Sequence, residues 1–489
     1  MSIAEAHAVA SVSFEDLASA AGTRTAAADL DVVCVQGLGF VGSAMAAAIA
    51  DARDPDGDPC FNVVGVDLST PDGLERIEAI NAGRLPVAAN DDKLKTALAT
   101  ARERGNLIAT TDERAYALAS VTVVDVPLDV INAEQPTVHF DGLRAAIQTL
   151  GRRMPERSLV IVETTVPPGT TEMVVVPELA ESLAVRGLPR HAIGVAYSYE
   201  RVMPGASYFD SIVDIPRNYA GYTAAAADTC EAFLAKVIDV ESHPLTRLHS
   251  TTACEMAKIL ENSYRATTIA FMEEWGRFAE AVGVDLMQVI ATIRERPTHS
   301  NMRSPGFGVG GYCLTKDPLF ATVSARELHG RADLRFPFST LAVAVNRVMP
   351  LVSLDKVAAL LPRGLTGATI LLMGVSYRQD VADTRHSPSE TFVREAWRRG
   401  ATVLCHDPLV QHWSELELPV LGDPPPLAGI DAVVFAVPHR SYHDLDLERW
   451  LGDARPVVLD AFNVLSHAQR TLLARLGCTV ASIGRGERP

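Results

Sequence analysis

Several features that would assign this sequence to a class at once are missing from it. It has no CxxC pair and no histidine-rich cluster, so we expect no metal site of the zinc type. Its 60 acidic residues outnumber its 44 basic ones, and the net charge of −16 excludes nucleic acid and anionic membranes as expected partners. The seven cysteines are odd in number and irregularly spaced, which favours reduced thiols in a cytoplasmic protein over a disulfide framework.

Long apolar runs are also missing. No stretch of eighteen apolar residues occurs, so we expect no transmembrane helix. The first thirty residues lack a basic segment followed by an apolar core and therefore do not resemble a secretory signal. We interpret residues 1–30 as an N-terminal extension that is either helical over Phe14–Ala21 or disordered.

Lysine is scarce. The chain keeps six lysines among its 44 basic residues, at positions Lys93, Lys95, Lys236, Lys258, Lys316 and Lys356. A lysine that remains in such an arginine-rich chain is a candidate for a role that needs lysine, because its pKa can shift whereas arginine stays charged. Chance survival of some lysines is the competing explanation.

A glycine-rich turn near the N-terminus predicts a dinucleotide site. An apolar run of strand length, Asp31–Gln36, is followed by Gly37-Leu-Gly39-Phe-Val-Gly42 and then by a helical pattern. This is GxGxxG between a strand and a helix, where the glycines allow a tight turn, contact with a pyrophosphate and close helix packing. A second strand, Phe61–Val66, ends in Asp67, whose carboxylate can accept the ribose hydroxyls and would repel a 2′-phosphate. We therefore expect NAD rather than NADP.

The rest of the chain alternates between apolar strands and helices. Further strands are predicted at 121–126, which ends at Pro127, and at 159–163, which is followed by Thr164 and Thr165. Residues 250–293 predict one long helix capped by Thr251 or Thr252, and another helix is expected at 337–361. Strands at 369–373, 401–405, 431–437 and 457–461 form a second α/β region without a GxGxxG of its own.

One loop stands out, Ser304–Pro318. Four glycines precede Cys313 within seven residues, and Lys316 and Asp317 follow it. Glycines let the backbone approach a ligand and aim N–H groups at an anion, and a thiol beside a cation can be an activated nucleophile. A glycine-rich turn holding a buried, inert cysteine is the alternative.

Together, these stretches resemble the nucleotide-sugar 6-dehydrogenases, the family of UDP-glucose and UDP-N-acetylhexosamine dehydrogenases. The resemblance spans about residues 31–470 and is carried by GLGFVG with Asp67, VETTVPPGTT, YERVMPG, CEMAKILENSYRATTIAFMEE, GFGVGGYCLTKDP and GVSYRQDVADTRHSPS. It implies an α/β fold with two Rossmann-like domains joined by a central long-helix dimerisation domain. The implied division is an extension at 1–30, an NAD-binding domain at 31–222, a central helical domain at 223–350 and a nucleotide-sugar domain at 351–489.

The resemblance also implies roles for individual residues. The catalytic set is Cys313 as nucleophile, with Lys258, Asn262, Asp317, Glu200 and Thr165. The cofactor-binding set is Gly37, Gly39, Phe40, Val41, Gly42, Asp67, Pro127, Thr165, Lys316 and Arg385. The substrate-binding set is Glu200, Arg201, Lys258, Asn262, Gly306, Phe307, Gly308, Gly310, Tyr377 and Arg378. The expected partners are NAD, a nucleoside-diphosphate sugar and a second copy of the chain in a homodimer or higher oligomer.

The implied reaction is a four-electron oxidation of the sugar C6 alcohol to a carboxylate through a thiohemiacetal and a thioester on Cys313. A two-electron dehydrogenase of the 6-phosphogluconate or hydroxyacid type is the alternative, since it shares a Rossmann domain and a long-helix domain but needs no cysteine. A non-catalytic sensor on the same fold is a third hypothesis, against which the intact Cys313, Lys258 and Asp317 argue.

Departures from the family pattern leave the sugar and the base open. Tyr312 stands where the N-acetylhexosamine branch often has histidine, and Phe462 stands where relatives often carry a basic residue. Thr315-Lys316 resembles the glucose branch, whereas the ERVMPG stretch and the helix at 254–274 resemble the N-acetylhexosamine branch. A family arginine that reaches across the dimer has three candidates, Arg294, Arg296 and Arg303.

Overall fold

The structure is a computed structural model that describes residues 12–22, 30–87 and 91–486. The chain divides into two compact units. The first, which we call the N-terminal unit, takes the chain up to Ile259 together with Phe320–Arg335. The second, the C-terminal unit, takes Leu260–Leu319 together with the chain from Phe336 onward. The four-part division expected from the sequence stays a prediction.

The N-terminal unit is built on an eight-stranded sheet. Its strands are β1 Val32–Gln36, β2 Asn62–Val66, β3 Leu107–Thr110, β4 Ala119–Val124, β5 Leu159–Val162, β6 Gly194–Tyr197, β7 Asn218–Gly221 and β8 Thr246–Arg247, in the order β3-β2-β1-β4-β5-β6-β7-β8. All neighbours pair in parallel except β6 and β7. The order reverses between β1 and β4, and in such sheets a ligand binds at the carboxyl ends beside that point.

Helices cover this sheet. Those of the N-terminal unit are α1 Phe14–Ala20, α2 Phe40–Asp51, α3 Pro71–Asn81, α4 Asp92–Arg104, α5 Asp141–Arg153, α6 Val176–Val185, α7 Asp210–Val213 and α8 Ala224–Val237. Helix α1 bears out the helical interpretation of Phe14–Ala21, and its N-cap is a capping box formed by Ser13 and Asp16. Residues 1–11 and 23–29 of the expected extension lie outside the described residues.

The predicted long helix at 250–293 is wrong in two details. It is two helices, α9 Thr251–Ala281 and α10 Leu286–Arg294, because Gly283 adopts a left-handed φ of +72° and Asp285 caps the next helix. The cap of α9 is Ser250 rather than a threonine, since the Ser250 hydroxyl accepts from the Ala253 N–H at 3.1 Å. Helix α9 begins in the N-terminal unit and ends in the C-terminal unit, and a short helix, α11 Phe320–Val323, follows in the N-terminal unit.

The C-terminal unit holds a second parallel sheet. Its strands are β9 Thr369–Met373, β10 Thr402–His406, β13 Ala432–Phe435, β14 Val457–Asp460 and β15 Val480–Ser482, in the order β10-β9-β13-β14-β15, with a separate hairpin of β11 His412–Trp413 and β12 Leu418–Pro419. Its helices are α10, α12 Pro337–Leu360, α13 Pro388–Arg398, α14 Leu447–Leu451 and α15 His467–Arg475. The predicted fold class, α/β with two Rossmann-like parts and a long central helix, is confirmed.

Helix α12 is long and unusually apolar. Among the described residues it alone combines the length and the mean hydropathy, 1.3, of a membrane-spanning segment. Asn346 and Arg347 interrupt its apolar sequence, and Asn346 is buried, where its side-chain amide donates to the Ala266 carbonyl of α9 at 3.0 Å. Leu354 and Val357 lie in the core beneath the second sheet. The residues Asn346, Leu354 and Val357 therefore pack as in a core helix, whereas Phe338 and Leu341 near the start of α12 are exposed.

Candidate active site

The glycine turn after β1 has the geometry that a dinucleotide requires. Gly37 has a φ of +92°, and a Cβ there would lie 2.7 Å from the carbonyl oxygen of Asp125. A Cβ on Gly42 would lie 1.9 Å from the carbonyl oxygen of Gly37, so only glycine lets α2 start this close to the turn. A Cβ on Gly39 would meet no atom within 4 Å, which leaves the helix N-terminus open to a ligand.

Asp67 lies beside this turn with its carboxylate already oriented. It accepts from the Leu38 N–H at 3.0 Å and pairs with Arg76 of α3, whose Nε is 2.8 Å from Oδ2. Each carboxylate oxygen already accepts two donors, the Leu38 N–H and Arg76 Nε at Oδ2 and the Leu68 N–H and Arg76 Nη2 at Oδ1, so a ribose hydroxyl would take the place of one of them. Phe40 and Val41 open α2 at the same edge, and Pro127 is exposed just after β4.

Lys258 and Glu200 form a buried pair in the N-terminal unit. Lys258 of α9 donates from Nζ to the Glu200 carbonyl oxygen at 2.6 Å and lies 3.3 Å from its carboxylate Oε1. The ammonium also lies 5.4 Å from the centroid of the Tyr199 ring. Arg201 contacts the same tyrosine, with its Nη2 donating to the hydroxyl at 3.1 Å. The sequence prediction that Lys258, Glu200 and Arg201 share a site therefore has a geometric counterpart.

The loop after β5, which carries Thr165, is anchored by Glu255 of α9. The buried carboxylate of Glu255 accepts from the N–H groups of Gly169 and Thr171, at 2.5 and 2.8 Å, and from the Thr171 hydroxyl at 2.6 Å. Burial raises the pKa of Glu255 to about 7, although these donors act in the opposite direction. Glu255 precedes Lys258 by one turn of α9, so the helix that carries the lysine also fixes the threonine loop.

A second buried cluster lies at the carboxyl ends of β4 and β5. Arg217 forms an ion pair with Glu163, and both side chains are almost fully buried. Burial lowers the pKa of Arg217 to about 10. Burial, reinforced by the charge of Glu200, raises the pKa of Asp125 well above its usual range. These groups set the electrostatics at the point where the strand order reverses.

The C-terminal unit holds the other predicted catalytic group. The Asn262 side-chain amide donates to Asp317 Oδ2 at 2.8 Å, and Lys316 Nζ lies 3.1 Å from Asp317 Oδ1. Asp317 is fully buried, and its N–H donates to the carbonyl oxygen of Cys313 at 2.9 Å. The Lys316 ammonium also lies 4.2 Å from the centroid of the Tyr312 ring. Asn262, Asp317, Lys316 and Cys313 therefore lie together, and their assigned roles, catalytic for the first two and Cys313 and cofactor-binding for Lys316, stay predictions.

Cys313 differs from the other cysteines in its accessibility. It is exposed, Cys60 is partly buried, and the remaining five are buried. Burial raises the pKa of the Cys254 and Cys405 thiols to about 12, so these thiols are poor nucleophiles. The alternative of a buried cysteine in the glycine-rich loop is wrong, because Cys313 is exposed, and the reactivity of its thiol stays a prediction.

The glycines before Cys313 let this loop lie against the second sheet. A Cβ on Gly311 would lie 2.8 Å from the Tyr377 ring, and one on Gly308 would lie 2.6 Å from Pro388. A Cβ on Gly310 would lie 2.7 Å from Pro388. The side chain of Phe307, just before Gly308, is fully buried. Burial raises the pKa of Tyr377 to about 12. The expected substrate cradle of Gly306, Phe307, Gly308, Gly310 and Tyr377 is thus one packed arrangement.

Two predicted arginines lie near this loop's supporting segment. Arg385 pairs with Asp383, with its Nη2 2.8 Å from Oδ2, and is exposed at its guanidinium. Arg378 is exposed after β9, and its carbonyl oxygen accepts from the Ser376 hydroxyl at 3.0 Å. The structure leaves the assigned roles of both as predictions.

Sequence reasoning missed four of the residues that shape these groups: Arg76, Asp125, Glu255 and Arg217. Glu255 could have been found, because it lies three residues before Lys258 and therefore on the same face of the helix. The contacts of Arg217 with Glu163 and of Arg76 with Asp67 join residues on separate elements. No periodic pattern in the sequence marks such pairs.

These groups have the chemistry of a dehydrogenase. A glycine turn with an adjacent acid suits a dinucleotide, a buried ammonium can hold a developing oxyanion, and an exposed thiol can form a covalent adduct. The three family models that match describe the UDP-glucose/GDP-mannose dehydrogenase family: its NAD-binding domain at residues 31–230, its central domain at 252–347 and its UDP-binding domain at 371–467. The NAD expectation is confirmed by this match.

Relatives and solved structures agree with these models. A UDP-N-acetyl-D-mannosamine dehydrogenase of Methanocaldococcus jannaschii is 28% identical over 93% of this chain and 97% of its own. The structure of the UDP-N-acetylmannosamine dehydrogenase of Pyrococcus horikoshii superposes with a TM-score of 0.77 at 25% identity, covering 94% of this chain and all of its own. An NDP-N-acetyl-D-galactosaminuronic acid dehydrogenase from Methanosarcina mazei gives a TM-score of 0.76 at 25% identity, covering 97% and 98%.

Proposed function

The chain belongs to the UDP-glucose/GDP-mannose dehydrogenase family, and we propose on this basis that it oxidises the C6 hydroxymethyl group of a nucleoside-diphosphate hexose to a uronic acid. One observation supports the proposal above the others. The same chain carries an NAD-type glycine turn and one exposed cysteine, Cys313, next to the buried Asn262–Asp317 pair. A two-electron hydroxyacid dehydrogenase has no use for the cysteine.

The cofactor is NAD, and the residues of the glycine turn fit it. Gly37, Gly39 and Gly42 provide a turn that a larger side chain would fill, and Asp67 offers carboxylate oxygens at the ribose position. NAD⁺, when bound, accepts one hydride in each of the two oxidations. The carboxylate of Asp67 disfavours a 2′-phosphate, which supports NAD over NADP.

The chain's own residues supply the rest of the chemistry. The Cys313 thiolate adds to the C6 aldehyde, which forms a carbon–sulfur bond and a thiohemiacetal oxygen. Loss of the second hydride turns this adduct into a thioester, and water cleaves the carbon–sulfur bond to release the carboxylate and the thiol. Lys258 holds the negative oxygen in both oxidations, and Asp317 or Glu200 takes a proton from the attacking water, which Thr165 holds in place.

An N-acetylhexosamine linked to UDP is the substrate to test first. The relatives and neighbours cited above carry names of N-acetylhexosamine enzymes, and the match at 371–467 is to a UDP-binding domain. The ERVMPG stretch and the helix at 254–274 resemble the same branch. Glucose linked to UDP or dTDP is the second candidate, which the Thr315-Lys316 pair favours.

We propose a homodimer for the assembly and the cytoplasm for the location. The C-terminal unit exposes a row of large apolar side chains, Leu260, Tyr264, Phe271, Trp275 and Phe278 on α9 and Val282 in the turn directly after it. Helix α12 packs beside α9 through Ala266, Ala270 and Ala342 and exposes Phe338, Leu341 and Val348. A second copy of the chain is the occupant that such a two-helix apolar surface suits. The odd number and irregular spacing of the seven cysteines support a reducing compartment.

The test is the number of NADH formed per sugar consumed. UDP-N-acetylmannosamine, UDP-N-acetylglucosamine, UDP-N-acetylgalactosamine, UDP-glucose and dTDP-glucose are compared, with the product identified by mass. Two NADH per sugar and a uronic acid are expected, and C313S is expected to stop acid formation while C60S, which alters the partly buried thiol, does not. One NADH per sugar, or an acid formed by C313S at the native rate, would contradict the thioester route.

A further inference from the structure

Phe462 is an aromatic side chain that the proposed reaction does not use. It follows β14, separated from it by Ala461, and 40% of its surface is exposed. A side chain of this kind close to a ligand site needs an explanation of its own.

The location of Phe462 is the ligand edge of the second sheet. The five strands of the sheet β10-β9-β13-β14-β15 are parallel, so their carboxyl ends share one edge, and ligands of such sheets bind there. Tyr377 follows β9 at this edge and Phe462 follows β14. Both belong to the C-terminal unit.

The glycine-rich loop lies against both rings. A Cβ on Gly306 would lie 3.2 and 3.3 Å from two ring carbons of Phe462, and one on Gly311 would lie 2.8 Å from the Tyr377 ring. Gly306 and Gly311 therefore bring the loop backbone into direct contact with an aromatic surface at each end. The part of the Phe462 ring that the loop does not cover faces solvent beside the expected substrate cradle.

The turn that carries Phe462 is fixed in place. The Asp460 carboxylate accepts from the N–H groups of Val464 and Leu465, at 2.7 and 3.0 Å. Asn463 has a left-handed φ of +53°, and its side-chain oxygen accepts from Arg485 Nε at 2.9 Å. The backbone that carries the ring is thus fixed before any ligand arrives, which lowers the entropy cost of a contact with the ring.

We propose that Phe462 stacks on the nucleobase of the sugar nucleotide. This rests on the proposed function, because it assigns a contact to the base of that substrate. A flat apolar ring offers nothing to a phosphate but matches the face of a pyrimidine, and every base presents such a face. The contact selects for a nucleotide over a sugar phosphate and tolerates uracil and thymine alike.

The test is the affinity for free UDP, measured by titration calorimetry on the full chain. F462A is expected to weaken UDP and dTDP roughly 5- to 150-fold, as for loss of one base stack. F462L keeps most of the apolar bulk without the aromatic face and is expected to weaken them nearly as much. F462Y keeps the ring, and its affinity for UDP is expected to stay within about twofold of that of the native protein. The control W397A removes a ring of similar exposure (38%) from α13 and is expected to bind UDP equally well.

A variant of Phe462 could also weaken UDP binding by distorting the glycine-rich loop. The alkylation rate of Cys313, which lies further along the same loop, reports such a distortion. The proposal expects F462A and F462L to leave this rate and the KM for NAD unchanged. It is overturned if F462L binds UDP like the native protein, if F462A does so, or if the alkylation rate changes in step with the affinity. Failure of the native chain to bind UDP or dTDP would instead overturn the proposed substrate class.

Discussion

Lys258 Nζ lies 2.6 Å from the backbone carbonyl oxygen of Glu200 and 3.3 Å from the carboxylate of the same residue. Both side chains are buried, so the ammonium replaces its lost hydration with one carbonyl and one charge partner. The face of the Tyr199 ring makes a third contact with this ammonium. Such an ammonium is already oriented when a negative oxygen develops beside it, and this pre-organisation is the source of its catalytic value.

Removal of this ammonium tests its role directly. K258A is expected to lower kcat by about 10²–10³, the typical effect of losing one oxyanion donor. K258R is expected to fall as far, because a planar guanidinium cannot place one compact donor on the Glu200 carbonyl oxygen. Steady-state kinetics measure this, with K95A, an exposed lysine of α4, as the control. A K258A enzyme that keeps its kcat and loses only substrate affinity would contradict the role in the chemical step.

Glu255 predicts a pH dependence of stability. Its pKa is about 7 in the folded protein against 4.5 as the ordinary value, so the folded chain keeps a proton that the unfolded chain releases. The free energy of unfolding therefore falls as pH rises from 4.5 to about 7, by about 3 kcal/mol, and is level above that range. Chemical denaturation at a series of pH values measures the slope.

The variant E255Q isolates this contribution. Glutamine does not titrate, so the slope between pH 4.5 and 7 is expected to be smaller in E255Q by about the same 3 kcal/mol. E261Q, which changes an exposed glutamate on the same helix, is expected to keep the native slope. An E255Q protein with the native slope would show that another group titrates in this range. The absolute stability of E255Q is expected to fall as well, because its amide hydrogens face the Gly169 N–H.

Much of the fold follows from local patterns in the sequence. The largely apolar runs at 32–36, 62–66 and 369–373 are strands because parallel strands buried on both faces need near-continuous apolar side chains. The glycine turn was recognisable because each glycine has a separate steric task. The break at 282–285 was missed, although Gly283 and Asp285 are the residue types that typically end one helix and cap the next.

The candidate site was predictable where one motif carries several groups. Cys313, Lys316 and Asp317 are neighbours in sequence, and Lys258 and Asn262 are one helical turn apart. The contact of Glu255 with Gly169 was not predictable, because 86 residues separate the two and neither lies in a periodic pattern that indicates the other. The buried carboxyl of Asp125 was missed for the same reason.

Asp67 predicts the cofactor preference. Its carboxylate accepts from the N–H groups of Leu38 and Leu68 and from Arg76, whose longest contact, Nη2 to Oδ1 at 3.3 Å, a ribose hydroxyl can replace. D67N is expected to lower kcat/KM for NAD by 10- to 100-fold. The ratio of kcat/KM for NAD to kcat/KM for NADP is expected to fall as well, because the charge that repels a 2′-phosphate is lost. D72N, an exposed aspartate of α3, serves as the control. An unchanged ratio of the two kcat/KM values in D67N would place the discrimination elsewhere.

The aromatic row on α9 predicts the oligomeric state. Trp275 contacts Phe271 and Phe278 through ring pairs at 6.3 and 6.0 Å, yet Trp275 and Phe278 remain 46% and 57% exposed. The native chain is expected to have twice its 52.4 kDa mass by light scattering. The double variant W275E/F278E is expected to be monomeric, because two carboxylates in a desolvated apolar interface have no partner there. W397E, with a similarly exposed tryptophan on α13, is expected to remain dimeric. A W275E/F278E protein of native mass would place the interface on another surface of the C-terminal unit or outside it.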